Sequence, residues 1–133
     1  MKWSTLSMHV ELTDDGILKI TPATDFKGPE TIEQAQENIR SLHEKVDDLD
    51  KIKGTLAHMP SHYINAEATR HYKLHARMVP TAMIADSFFK RMIGNFMLVL
   101  SDPGRPVRLF SDEAEALEWL HQAIAKHEKV KKS

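Results

Sequence analysis

KGTLAHMPSHYINAEATRHYKLHARMVPTAMIA, residues 53–85, decides the fold. It opens with Lys53 to Met59, which reads as a buried strand and which Pro60 closes. It ends with Thr81 to Ala85, TAMIA, a short strand with almost no polar residues. Apolar runs of this kind suit the inner strands of a parallel sheet, which are covered on both faces. Between them, Asn65 supplies a side-chain oxygen to cap a helix from Ala66 to Arg77. Strand, helix and strand in this order form a crossover unit, and crossovers join parallel strands.

Upstream, residues 3–12 contain the alternation Leu6, Met8, Val10, Leu12. A period of two is that of a half-buried strand. Asp14-Asp15-Gly16 makes a turn, and Ile17 to Ile20 reads as the hairpin partner, ended by Pro22. The clearest helix follows. Ile32, Ala35, Ile39, Leu42, Val46 and Leu49 form one apolar stripe, with a capping box at Thr31 and Gln34. Downstream, Ser87 to Leu100 is a third helix and Pro106 to Phe110 a last strand. Asp112 with Glu115 caps a final helix that reaches about Lys129, leaving a basic tail at 126–133 that is expected to fray.

The order predicts one α/β domain spanning residues 1–133, with a four- to five-stranded, mostly parallel sheet and an antiparallel edge hairpin. Four helices are expected mainly on one face. The composition is that of a soluble globular chain: 41% hydrophobic, 28% charged, net charge −1. That balance directs nothing toward nucleic acid. The absence of cysteine removes thiol chemistry and Cys-based metal sites, and it fits a reducing cytoplasm. The N-terminal residues lack an uninterrupted signal-type apolar segment, and no run is long enough to span a membrane. A soluble, cytoplasmic protein is expected.

The strand–helix order, with RMIGNFMLVLSDPGRPVRLFSDEAEALEWL at 91–120, resembles bacterial proteins of the STAS and SpoIIAA-like kind. The C-terminal motif carries the likeness, because it joins helix, strand and capped helix at fixed spacing. The N-terminal half matches by pattern only. The resemblance implies a regulatory module that binds proteins and catalyses nothing. STAS relatives that antagonise anti-sigma factors have an Asp-Leu-Ser-like strand end, then an Asp-Ser-Ser-Gly-like helix start whose serine is phosphorylated. Here the aspartate position is His58, the serine positions are Ala66 and Glu67, and the glycine is Ala68. Ser61 and Thr69 are nearby but displaced, and Asn65 begins the helix. The resemblance therefore implies a degenerate switch.

Four histidines crowd this region. His71 and His75 stand one helical turn apart, which is ligand spacing, and His58 and His62 precede them. A metal site needs them to converge, yet no HExxH pattern is present. Packing histidines with hydrogen-bond partners are the expectation, with no metal and no cofactor. Ser61 beside His62 is a turn serine, since adjacent extended residues point apart and no nucleophile elbow surrounds it.

The third helix carries more apolar surface than one packing face uses. Its apolar positions cover an arc of about 180°, against roughly 100° for a single face. Gly94 in its middle is expected to admit another backbone. Phe89, Ile93, Met97, Leu98 and Leu100 are the expected surface for a partner or a homodimer. A small apolar-ligand or lipid binding protein using the same helices is the alternative, and a histidine-based metal protein a third. Trp119 is expected to pack at the sheet edge, and Trp3, which begins the edge strand, to be partly exposed.

Overall fold

The computed structural model describes residues 1–86 and 90–132. Six strands form one sheet: β1 (Lys2–Ser4), β2 (Met8–Leu12), β3 (Ile17–Pro22), β4 (Gly54–His58), β5 (Thr81–Ile84) and β6 (Val107–Phe110). Their spatial order follows chain order. β1, β2 and β3 pair antiparallel, whereas β3 to β6 pair parallel, with Ile17 opposite Gly54 and Thr55 opposite Thr81. The helices are α1 (Ile32–Lys45), α2 (Ala66–His75), α3 (Lys90–Leu100) and α4 (Glu113–Lys132).

The α/β class and the mixed sheet with an antiparallel edge are as expected. Six strands replace the expected four to five, because residues 3–12 are two strands. The alternation breaks at Thr5–Ser7, where polar groups have better partners elsewhere. Thr5 Oγ1 donates to Asn38 Oδ1 over 2.5 Å, and the Ser7 hydroxyl accepts from Asn38 Nδ2 at 2.9 Å. Leu6 is left exposed on the turn.

The first helix stops at Lys45, and Leu49 belongs to a separate 3₁₀ turn, Leu49–Lys51. Asp48 accepts from the Asp50 backbone N–H at that turn, a local bond that competes with continuing the α-helix. The Thr31 backbone N–H donates to the Gln34 side chain at 2.8 Å, one arm of the expected capping box. The expected start of the third helix at Ser87 lies outside the described residues. The final helix, expected to reach about Lys129, runs to Lys132.

Three parallel crossovers of one hand place α1, α2 and α3 side by side on one face. α4 follows the last strand and needs no crossover, so it is free to turn onto the opposite face, over β4, β5 and β6. Strand alternation builds both cores. Ile17, Leu56, Ala82, Ile84 and Phe110 meet Ala116 and Leu120 of α4. Val10 and Leu18 meet Leu42 and Val46 of α1, while Met83 meets Ile93 and Leu100 of α3. Gly54 lets α4 settle on β4: a Cβ there would lie 2.8 Å from Ile124 Cδ1. Trp119 packs against the α4-side core, its ring 5.7 Å from that of Phe110. Trp3 is half-buried and donates from Nε1 to the Ser41 hydroxyl at 3.1 Å.

Candidate functional site

Loops at the carboxyl ends of β3 and β4 meet and lock together. The Glu30 backbone N–H donates to the Tyr63 carbonyl at 2.8 Å, and the Asn65 N–H returns to the Glu30 carbonyl at 3.0 Å. Gly28 makes the approach possible. Its φ is +83°, and a Cβ there would sit 2.8 Å from His62 Cβ. Phe26 stacks on the His62 ring at 5.0 Å.

Inside this junction sits a polar cluster. Glu30 Oε1 pairs with His62 Nε2 at 2.7 Å, with side chains only 8% and 5% exposed. The Tyr72 hydroxyl donates to the other oxygen of Glu30. Asn38 Nδ2 donates to the Tyr72 oxygen at 2.8 Å and to Ser7. Burial, and then the Glu30 carboxylate, push the Tyr72 hydroxyl well above the usual tyrosine range. The cluster thus ties five separate pieces of chain together: the β1–β2 turn, the β3–α1 loop, α1, the β4–α2 loop and α2.

Behind the cluster, between the sheet and the helices of its α1 face, lies a cavity of about 150 Å³. Its walls are overwhelmingly apolar and include Val10, Leu18, Ile20, Ile39, Leu42 and Met83. At its other end Arg105 is 1% exposed and spreads its guanidinium over backbone carbonyls. Nε donates to Arg77 O at 3.1 Å, Nη1 to Leu100 O at 2.9 Å, and Nη2 to Lys73 O and Ala76 O at 3.2 and 2.9 Å. These are the orphan carbonyls at the ends of α2 and α3.

The four histidines do not converge. His58 faces α4, with Nε2 2.9 Å from Glu113 Oε1. That hydrogen bond, helped by Lys19, holds the Glu113 carboxyl below its usual range. His62 belongs to Glu30. The His71 and His75 rings lie tilted at 41° with centres 4.4 Å apart; burial and then His75 lower the His71 pKa. Among the described residues no group of three or more His, Asp or Glu side chains gathers as a metal would require.

At the start of α2, Asn65 is the cap and accepts from the Ala68 N–H at 2.9 Å. Ala66 and Glu67 are exposed on the first turn, Ser61 is exposed on the preceding loop, and Thr69 turns its hydroxyl to the Asn65 carbonyl. A shallow cleft runs beside them between α2 and α3, lined by Pro60, Tyr63, Ile64, Arg70, Phe96 and Val99.

The surface expected on α3 is corrected in part. Ile93 and Leu100 are 5% and 6% exposed and belong to the core, and Met97 is half-buried against them. The sheet and α2 take up the apolar flank for which a partner was expected. Phe89 lies outside the described residues. Leu98 and its neighbour Val99 are exposed, at 71% and 41%. A Cβ on Gly94 would meet nothing within 4 Å, so among the described residues no other backbone approaches there.

Sequence reasoning missed Glu30, Asn38 and Arg105. Glu30 stands in a loop after a proline, and Asn38 and Arg105 are single polar residues with no motif. The one available signal was Asn38 on the inner side of the Ala35–Leu42 stripe. Among the described residues no helix is long and apolar enough to cross a membrane. No curated protein and no solved structure matches the chain. One family model does match, that of a domain of unknown function, DUF7793, over residues 58–124. The match takes in His62, Tyr72 and Arg105 but begins after Glu30 and Asn38. It spans just over half of the 133 residues, and the chain belongs to the DUF7793 family.

Proposed function

We propose that the protein is a non-enzymatic regulatory module of STAS/SpoIIAA-like type, acting in the cytoplasm through protein contacts and pairing with a second copy of itself. The observation that carries this reading is the cleft between α2 and α3, where Tyr63 and Val99 leave 63% and 41% of their surface exposed side by side with Arg70. Exposed large apolar residues grouped on one surface mark contact sites. The in-order parallel strands support the STAS-like assignment. The exposed start of α2 carries Ala66 and Glu67 where a phospho-switch needs hydroxyls, so partner binding here is not gated by phosphorylation at those positions.

Native mass spectrometry of the purified chain, beside Tyr63→Glu and Val99→Glu, tests the reading. The expected result is a wild-type dimer that both variants dissociate with unchanged circular dichroism. A wild-type chain that stays monomeric at every concentration, or variants that remain dimeric, overturns self-pairing at this cleft. Met97 is unsuitable for this test because it is half-buried against the core. A second reading, a binding protein for a small apolar ligand, is favoured by the cavity beneath α1 and α2.

A further inference from the structure

Resting on that second reading, we infer that the cavity beneath α1 and α2 is a binding site for one small, uncharged, apolar molecule, of the size and shape of a six-carbon ring. Size comes first. The cavity measures about 150 Å³. An apolar void of roughly 150 Å³ lined by aliphatic side chains stays dry and takes up benzene. An aliphatic chain of lipid length does not fit that volume.

The second argument is persistence. An empty apolar void costs stability, and packed structures close such voids where they can. Here both ends are held apart by polar groups. Glu30, His62, Tyr72 and Asn38 brace the β3–α1 loop, α1 and α2 at one end. Arg105 fixes the ends of α2 and α3 at the other. Moving α1 or α2 inward breaks buried hydrogen bonds, each of which leaves a desolvated polar group behind. The void is therefore maintained by the architecture.

Charge limits the guest at the Glu30 end. At the other end Arg105 is spent on backbone carbonyls, and Arg77 Nε, buried without a partner among the described residues, leaves room for one acceptor atom at most. An anion would lie near the buried carboxylate of Glu30. A cation would find both of its oxygens engaged, by His62 and by Tyr72. Burying an unpaired ion is strongly unfavourable. Asn38 is likewise bonded through both ends of its amide, to Thr5, Ser7 and Tyr72. What the walls at this end offer a guest is dispersion contact with Val10, Leu18, Ile39 and Met83.

The test is a titration of the isotopically labelled full chain with benzene and, separately, with decanoate, followed by methyl NMR. Two variants fill the cavity from opposite walls, Ala57→Leu on β4 and Ile39→Phe on α1. Benzene is expected to shift the methyl signals of Leu18, Leu42 and Met83 saturably, and the shifts are expected to vanish in either filling variant that folds. If neither folds, displacement of benzene by xenon at the same methyl groups supports the site, and failure to displace overturns it. Saturable decanoate binding without benzene binding overturns the six-carbon class and leaves the apolar-ligand reading standing. Absence of saturable shifts with both probes, or shifts confined to Ile93 and Val99 of the outer cleft, overturns the inference and the second reading together.

Discussion

Glu30 and His62, separated by 32 residues in sequence, meet through a 2.7 Å hydrogen bond under the joined loops of β3 and β4. Among the described residues, Glu30 Oε1 and His62 Nε2 have only each other as side-chain partners, while Tyr72 serves the other Glu30 oxygen. Removing one partner strands the other, which for buried ion pairs costs on the order of 3 kcal/mol or more. Glu30→Ala and His62→Ala are each expected to lose about that much in urea unfolding, with Glu30→Gln losing less because its amide oxygen still accepts a hydrogen bond. A loss below about 0.5 kcal/mol, the range of ordinary surface substitutions, would show that the pair is not closed in solution.

Tyr72 makes stability pH-dependent at the alkaline end. Its pKa is raised from the ordinary 10.0, chiefly by burial. The folded state therefore keeps its proton where the unfolded state loses it. The contribution is fully present below pH 10 and declines as pH rises above it, by about 1.4 kcal/mol per unit. Tyr72→Phe is expected to cost about 1–2 kcal/mol at neutral pH, since Glu30 and Asn38 each lose a partner. The variant should also lack the Tyr72 share of the alkaline decline. Parallel unfolding curves of the two proteins between pH 9 and 11 would contradict the assignment.

Arg105 holds two helix ends through four carbonyls with one planar group. A lysine ammonium has three donors on a single nitrogen and lacks the fork geometry. Arg105→Lys is expected to destabilise by about 2–4 kcal/mol, and hydrogen exchange should show the ends of α2 and α3 opening together.

Two glycines should respond in opposite directions. Gly94 sits inside α3 with open space where a Cβ would go. Gly94→Ala is expected to stabilise by up to about 1 kcal/mol through helix propensity alone. Gly54 has Ile124 Cδ1 at 2.8 Å and Leu120 Cδ1 at 3.1 Å in that place. Gly54→Ala is expected to destabilise by about 1–3 kcal/mol as α4 is pushed off β4. Melting temperatures of the pair decide both statements at once.

The His58–Glu113 contact belongs to the acid side. Glu113 is held below its usual range, first by the His58 hydrogen bond. Its contribution is present above the unfolded carboxylate pKa and lost as pH falls through the folded value. Glu113 is 41% exposed, so solvent screening keeps this contribution small. Glu113→Gln should slightly flatten the loss of stability between about pH 5 and 3. A variant whose stability falls as steeply as wild type over that range would remove the effect.

What the residues alone determined was local and periodic. The apolar Thr81–Ala85 run and the Ile32–Val46 stripe declare themselves through neighbours within one or two turns, and Asn65 before Ala66 declares a helix start. The class of fold followed, because regular alternation of strands with helices implies crossover connections and a mostly parallel sheet. The alternation at 3–12 misled for the same reason: it registers Leu6 and Met8 but not Asn38, 31 residues beyond Ser7, which draws Thr5 and Ser7 out of line. Only the tertiary structure decided which apolar flank of α3 turns inward, so that Ile93 and Leu100 are buried while Leu98 is exposed. It also decided that α4 takes the opposite face, and that Glu30, His62 and Tyr72 meet. Such meetings depend on loops closing across the sheet, and a buried polar residue shows its partner only when both have left water together.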